Sequence, residues 1–142
     1  MKCVRLLKLN KAMLKFHHTA IAVNNIEQVS ANYALLFGEN SVSEKIMISS
    51  QGVYVCFVKN GTDTFLELVE PINEKSIIFK MQKKGITYYH VGYITDNILD
   101  EVKSLEANNY KAFDYFHSEA FNNKRCVFLI SPDGHLMELI ES

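Results

Sequence analysis

Two histidines and two glutamates recur at matched positions in the two halves of this 142-residue chain. Glu67 follows His18 by 49 residues, and Glu138 follows His90 by 48. Imidazoles and carboxylates are ordinary protein ligands of divalent cations. An internal repeat of this length is a signal at the level of the fold. It predicts that the four side chains meet between two similar modules and hold one metal ion there.

Each glutamate lies within an apolar segment, FLELV around Glu67 and LMELI around Glu138. In a strand with alternating faces, each carboxylate would share its side with apolar neighbours. A carboxylate in such surroundings costs several kcal/mol unless it is paired or bound to a metal. A bound cation is therefore the simplest explanation for both glutamates.

The two histidines have small neighbours on their predicted strands. His18 would share a face with Ala20 and Ala22, and His90 with Gly92. An ordinary core would fill this space, so we expect room there for water or substrate. Each of the four residues alone is more often an ordinary hydrogen-bonded side chain; it is their matched placement that favours a metal site.

The elements that must position these residues occur in the same order in both halves. Residues 17–23 predict a strand, and the apolar spacing after Asn25 predicts a helix that Asn25 caps and that ends at Gly38. Residues 87–94 predict the matching strand, followed by a helix capped by Asp96 or Asn97. Each half then closes with a hairpin. The hairpins are 53–58 with 65–70, and 125–130 with 136–141.

Composition excludes several classes of protein. A net charge of -1 provides no basic surface for nucleic acid. Cys3, Cys56 and Cys126 lack close C-x-x-C spacing and are odd in number, so we expect buried thiols in a reducing cytoplasm rather than disulfides or thiolate zinc. No apolar run reaches 18 residues, which argues against a membrane span. We further expect a small-molecule substrate and a homodimer.

Several segments resemble the vicinal oxygen chelate superfamily, which includes glyoxalase I and methylmalonyl-CoA epimerase. HTAIAVNNIEQVSANYALLFG resembles the opening strand and helix of both enzymes, QGVYVCFVKNGTDTFLELVEP and YYHVGYITDNI resemble later segments of the epimerase, and SPDGHLMELI resembles the closing hairpin of glyoxalase I. The resemblance implies an α+β fold in which two βαβββ modules form a curved mixed sheet around a metal. The four ligand positions of the family match His18, Glu67, His90 and Glu138.

The resemblance covers residues 16–141 and sets the expected domain bounds. We expect an N-terminal extension at 1–15 and one domain at 16–141. Within that domain, module one spans residues 16–71, a linking helix spans 74–84, and module two spans 87–141.

The departures from the family pattern concern the substrate. Where the epimerase has an acid/base glutamate before Gln-Gly-Val, this chain has Ser50, so two-base epimerisation is in doubt. A bulky aromatic loop, FDYFHSEAFNNKR at 113–125, replaces the glycine-rich segment of the epimerase. Ser50, Tyr115, His117 and Lys124 are therefore the predicted substrate contacts. We interpret His17 and His135 as surface or supporting groups on opposite faces.

The function that these expectations favour is metal-dependent lyase or isomerase chemistry of the glyoxalase I type. One divalent ion, Ni, Co, Mn or Zn, would stabilise the enediolate of a small carbonyl or thioester substrate. Glu138, or else Glu67, would shuttle the proton. Three alternatives remain open at this point: a methylmalonyl-CoA epimerase-like epimerase, an extradiol-type dioxygenase, and a non-catalytic drug-binding resistance protein.

Overall fold

The computed structural model describes residues 14–142, which form nine strands and three α-helices. Cys3 and most of the expected N-terminal extension lie outside the described residues. In the first half of the chain the elements are β1 (Lys15–Ala22), α1 (Ile26–Phe37), β2 (Ile46–Ile48), β3 (Val53–Lys59) and β4 (Phe65–Pro71). After α2 (Ile77–Lys83), the second half contains β5 (Tyr88–Thr95), α3 (Ile98–Glu106), β6 (Lys111–Ala112), β7 (Phe116–Ser118), β8 (Lys124–Ile130) and β9 (Leu136–Glu141).

All nine strands belong to one mixed sheet, in the order β2-β3-β4-β1-β5-β9-β8-β6, with β7 also paired to β8. In the first module β1 runs parallel to β4, and in the second β5 runs parallel to β9. The antiparallel pair β1 and β5 joins the two modules within one chain. The predicted α+β fold of two modules in a curved mixed sheet is therefore confirmed, with the two-residue strand β6 as an addition in the second module.

The sheet curls until its two ends meet. A 3₁₀ turn at Ser49–Gln51 follows β2, and a matching turn at Glu119–Phe121 follows β7. The hydroxyl of Ser49 donates a hydrogen bond to Glu119 Oε1 at 3.1 Å and so links the two turns. This contact encloses the concave face of the sheet.

The predicted helix caps are present. Asn25 accepts a hydrogen bond from the Gln28 backbone N–H, and α1 ends at Gly38, whose φ of 91° favours glycine. Asn97 caps α3 in the same way. Both helices cover the convex face of the sheet, where Cys56 packs with residues of α1. Cys56 and Cys126 are buried free thiols, as expected, and Cys126 lies on the other face of the sheet, on the same side of β8 as Phe128. No helix in residues 14–142 is long and apolar enough to cross a membrane.

Candidate metal centre

The four predicted ligands converge on the concave face of the sheet. His18, Glu67, His90 and Glu138 are all buried, and one possible ligand atom from each lies within 4.8 Å of the others. His18 Nε2 is 2.9 Å from His90 Nε2, 3.0 Å from Glu67 Oε2 and 3.3 Å from Glu138 Oε2. His90 Nε2 is 3.3 Å from Glu67 Oε2 and 3.2 Å from Glu138 Oε2.

Strand register explains this convergence. Ala20 on β1 is the direct neighbour of Glu67 on β4 and of His90 on β5. Gly92 on β5 is likewise the neighbour of His18 on β1 and of Glu138 on β9. Each row across the sheet thus runs glutamate, small residue, histidine, and side chains in one row project to the same face. The small central residue lets the two larger side chains lean toward each other.

Gly92 is required by close packing. A Cβ at this position would lie 2.1 Å from His18 Cε1, far inside van der Waals contact. The expectation that small residues leave room for water or substrate is wrong at this position. The imidazole of His18 itself fills the space over Gly92, because it must lean across β5 to reach the other three ligands.

Irregular pairing between β1 and β5 brings a further side chain toward the site from each module. The register shifts between Phe16 and His18, and again between Ala20 and Ile21 opposite His90. A shift of this kind breaks the alternation of faces. His17 therefore does not lie on the opposite face as interpreted; its Nδ1 is 2.9 Å from His18 Nδ1. Tyr89 similarly packs edge-on against His90, with ring centroids 4.5 Å apart.

Charge within the cluster is balanced. Burial alone would lower the pKa of His18, but the carboxylates of Glu67 and Glu138 outweigh burial and raise it to about 9. Burial also opposes the rise in the pKa of His90, which the same carboxylates cause. Conversely, burial would raise the pKa of Glu67 and of Glu138, and the two imidazoles lower both. Positive charge between the two carboxylates is therefore favourable, and a proton on an imidazole or a divalent cation would supply it.

The donor set fits such an ion. Glu67 Oε2 accepts no hydrogen bond from residues 14–142, although His18 Nε2 lies 3.0 Å away. A buried carboxylate oxygen that lies close to two imidazoles and yet accepts no hydrogen bond from either is unusual unless something else binds it. Ligands adjacent around an octahedral ion with bonds of about 2.1 Å are about 3.0 Å apart, and the five separations given above are close to that value. Two nitrogens and two oxygens suit a first-row divalent ion.

Comparison with known protein families agrees with this geometry. The family model described as the Glyoxalase/Bleomycin resistance protein/Dioxygenase superfamily matches residues 17–128. The chain belongs to this superfamily. The predicted relationship to vicinal oxygen chelate proteins is therefore confirmed. No match to a curated protein sequence was found.

Solved structures of this superfamily share the fold. Methylmalonyl-CoA epimerase from Mycobacterium tuberculosis is 19% identical and has a TM-score of 0.81, over 98% of this chain and 95% of that chain. A hypothetical protein from Bacillus halodurans is 26% identical, with a TM-score of 0.74 over 92% and 96%. A variant of the Streptomyces coelicolor epimerase, in complex with 2-nitronate-propionyl-CoA, is 22% identical, with a TM-score of 0.77 over 92% and 96%.

A pocket lies beside the cluster. Its cavity volume is about 20 Å³, and Glu67, His90 and Glu138 form part of its lining. The remaining walls are mostly apolar. They consist of Ile48, Val53, Val55 and Val69 from the first module, and Tyr89, Phe116 and Phe128 from the second, together with the polar residues Gln51 and Ser118.

The structure does not bring the predicted substrate residues to this pocket. Ser50, Tyr115 and His117 are exposed outside its lining, and Lys124 lines a separate cleft beside Phe121. Their contact with substrate stays a prediction. His135 is exposed near Asp133.

The aromatic segment 113–125 nevertheless covers the centre, through residues that the sequence analysis did not select. Phe121 stacks on His18, with ring centroids 5.9 Å apart and planes 20° apart. Phe116 and Ser118 line the pocket. Alternation in β7 turns residues 116 and 118 to one side and residue 117 to the other, but three residues are too few for this pattern to be recognised from the sequence.

Proposed function

We propose that this chain is a metal-dependent isomerase or lyase that moves a proton at the carbon next to the carbonyl of a small thioester or other carbonyl compound. The observation that carries this proposal is the convergence of two imidazoles and two carboxylates, all buried, beside a small pocket. Membership of the superfamily and fold likeness to methylmalonyl-CoA epimerases support an enzyme of this type.

His18, Glu67, His90 and Glu138 would hold one divalent ion, for which Ni, Co, Mn and Zn are all suitable. When bound, the ion polarises a substrate carbonyl and stabilises the charge that develops on its oxygen as the neighbouring carbon loses a proton. Apolar walls such as Val55 and Phe128 exclude water, which strengthens electrostatic interactions inside the pocket.

Glu138 is the proposed base, with Glu67 as the alternative. Both carboxylates line the pocket, and the neighbouring imidazoles lower the pKa of each, so each is ionised at neutral pH and can accept a proton. A carboxylate in this position can return the same proton to an adjacent atom of the substrate. This one-base path does not need an acid at position 50.

Epimerisation of an acyl thioester is the second candidate. It is favoured by the fold likeness to the epimerases and by the presence of two carboxylates in one pocket. A two-base epimerase needs an acid/base group on each face of the reacting carbon. Because Ser50 is exposed and outside the pocket lining, Glu67 and Glu138 would have to form that pair.

The other two alternatives receive less support. An extradiol-type dioxygenase would use two histidines and one carboxylate around iron, whereas both glutamates here lie within 3.3 Å of His90 Nε2. A drug-binding resistance protein needs a wide cleft. The cavity volume of about 20 Å³ is far below the roughly 300–1,000 Å³ of sites for drug-sized ligands.

Proton exchange with solvent tests the proposed chemistry directly. Cobalt-loaded protein in deuterated water would be incubated with hemithioacetals, acyl-CoA thioesters and 2-oxo acids, and deuterium at the carbon beside the carbonyl would be followed by mass spectrometry. We expect deuterium exchange with one of these substrate classes. A chelator should abolish this exchange, and the variant His135→Ala, at an exposed histidine, should retain it. Inversion without rearrangement would identify the epimerase; absence of exchange with every class would contradict the proposal.

We also propose that the chain forms a homodimer in the cytoplasm. Helix α1 ends in three exposed apolar residues, Leu35, Leu36 and Phe37, and exposed apolar groups often mark protein contacts. The free thiols of Cys56 and Cys126 suit a reducing compartment. Light scattering of the wild type should give twice the mass of the chain, and Leu35→Glu should shift it to a monomer. A monomeric wild type would contradict the dimer.

A further inference from the structure

The side chain of Ser118 lines the pocket without a hydrogen bond. Ser118 is the last residue of β7 and is only 1% exposed. Its Oγ has no hydrogen-bond partner in residues 14–142. Buried hydroxyls almost always have a partner, because an unpaired one loses its bonds to water without compensation.

The usual structural roles of a serine at this position are not realised. Ser118 precedes the 3₁₀ turn Glu119–Phe121, where a serine hydroxyl commonly caps the free backbone N–H groups. No such capping bond is made here. The backbone carbonyl of Ser118 accepts a bond from the Asn123 N–H, but this leaves the hydroxyl unused.

The equivalent position in the first module is apolar. Strand β2 also has three residues, is followed by a 3₁₀ turn, and ends at Ile48. Ile48 and Ser118 both line the same pocket. The pocket therefore has an isoleucine at one of two related positions and a hydroxyl at the other. Together with Gln51, Ser118 therefore offers a substrate a polar group in a lining that is mostly apolar apart from the metal ligands.

We propose that Ser118 Oγ donates a hydrogen bond to an oxygen of the substrate, separate from the oxygens that face the metal ligands. The substrate class is then a short acyl compound that carries a further acceptor, a carboxylate or carbonyl, in addition to the oxygens at its reacting end. Phe116, Phe128 and Val55 would pack against its carbon chain. This inference rests on the proposed function and names a determinant of its specificity.

Two matched hydroxamates test this role by binding rather than by turnover. Both offer two adjacent oxygens to a cation, but malonate monohydroxamate has a carboxylate where propionohydroxamate has a methyl group. Their affinities for cobalt-loaded protein would be measured by calorimetry for the wild type, Ser118→Ala and the control Ser30→Ala, whose hydroxyl bonds within α1. Ser118→Cys, with a weakly donating thiol of similar size, serves if the alanine variant does not fold.

We expect Ser118→Ala to lower the affinity for malonate monohydroxamate by about 10-fold or more, as for a lost hydrogen bond to a charged group. Propionohydroxamate should bind both proteins equally, and Ser30→Ala should behave as wild type. The inference would be overturned if Ser118→Ala and wild type bound malonate monohydroxamate with equal affinity. It would also be overturned if Ser118→Ala lowered the affinity for both compounds by the same factor. If neither compound binds cobalt-loaded wild type while propionohydroxamate binds the free ion, the metal site fails and the role of Ser118 fails with it.

Discussion

The two modules supply the same ligands from the same strand positions, yet they surround them differently. His18 is covered by the ring of Phe121, and its Nδ1 lies 2.9 Å from His17 Nδ1. His90 lines the pocket, and its Nδ1 has no hydrogen-bond partner within residues 14–142. Repetition of one module accounts for the four predicted ligands. The differences between the modules determine from which side a substrate can reach those ligands.

The central residues of the two rows differ in the same way. The His18 ring lies over Gly92, where no Cβ could fit. In the other row the equivalent residue is Ala20, whose methyl group is buried in the core beside Val55 and Val69. The row through Gly92 is therefore packed tightly by the His18 ring, whereas the centre of the other row belongs to the apolar core behind the pocket-lining valines.

Exchanging each glutamate for glutamine should separate the roles of the two modules in catalysis. Glutamine keeps an oxygen for the ion but is a poor base. Glu138→Gln should lower turnover of the substrate found by the exchange screen by about 10²–10⁴-fold, the usual contribution of a general base, and Glu67→Gln should lower it less. Metal content measured in parallel is the control. Equal losses would indicate that both carboxylates transfer protons, as in an epimerase.

Exchanging the central residues should affect the modules unequally. Gly92→Ala places a methyl group against His18 Cε1, so the ring must move away from the other ligands. We expect a loss of about 1–3 kcal/mol in unfolding free energy from overpacking, together with loss of tight metal binding. Ala20→Gly should cost roughly 0.5–1 kcal/mol through backbone freedom and retain the metal. Normal cobalt affinity in folded Gly92→Ala would refute this packing argument.

Removing His17 should weaken metal binding, because a ligating histidine is oriented by the partner of its second nitrogen. His18 Nδ1 and His17 Nδ1 are 2.9 Å apart, and burial together with the nearby His18 lowers the pKa of His17 to about 4. When His18 Nε2 binds the ion, His18 Nδ1 carries the proton and would donate it in a hydrogen bond to the neutral His17. His17→Ala should reduce cobalt affinity about 10–100-fold, and His17→Asn should restore part of it. Tyr89→Phe, at the matching position, should leave affinity unchanged. If Tyr89→Phe lowered cobalt affinity and His17→Ala did not, the assigned roles of the two residues would be reversed.

The metal-free protein should lose stability in mildly alkaline solution. The pKa of His18 is about 9 in the folded protein, against 6.5 for a free imidazole. Its stabilising contribution is therefore complete below pH 6.5 and is lost as the pH rises through 9. We expect the Tm of chelator-treated protein to fall by a few degrees over this range, while cobalt affinity rises because fewer protons compete. A Tm independent of pH from 6 to 9 would disagree with this charge balance.

The sequence was sufficient to predict that four side chains converge and insufficient to predict what surrounds them. His18, Glu67, His90 and Glu138 could be found because strand alternation and the repeat act over whole modules. His17 points toward the site because of a local irregularity in strand pairing, and such an irregularity leaves no periodic signal in the sequence. Ser118 lies in a strand of three residues, which is too short for alternation to be recognised against a loop. The packing of His18 over Gly92 depends on contact between strands of different modules.

The central claim is that four buried side chains bind one divalent ion per chain. Equilibrium dialysis of chelator-treated protein against cobalt, followed by elemental analysis, tests it most directly, with His90→Ala and His135→Ala compared in the same experiment. The account predicts one cobalt per chain for wild type and His135→Ala, and nearly none for folded His90→Ala. A folded wild type that retains no cobalt, or equal cobalt in all three proteins, would contradict it.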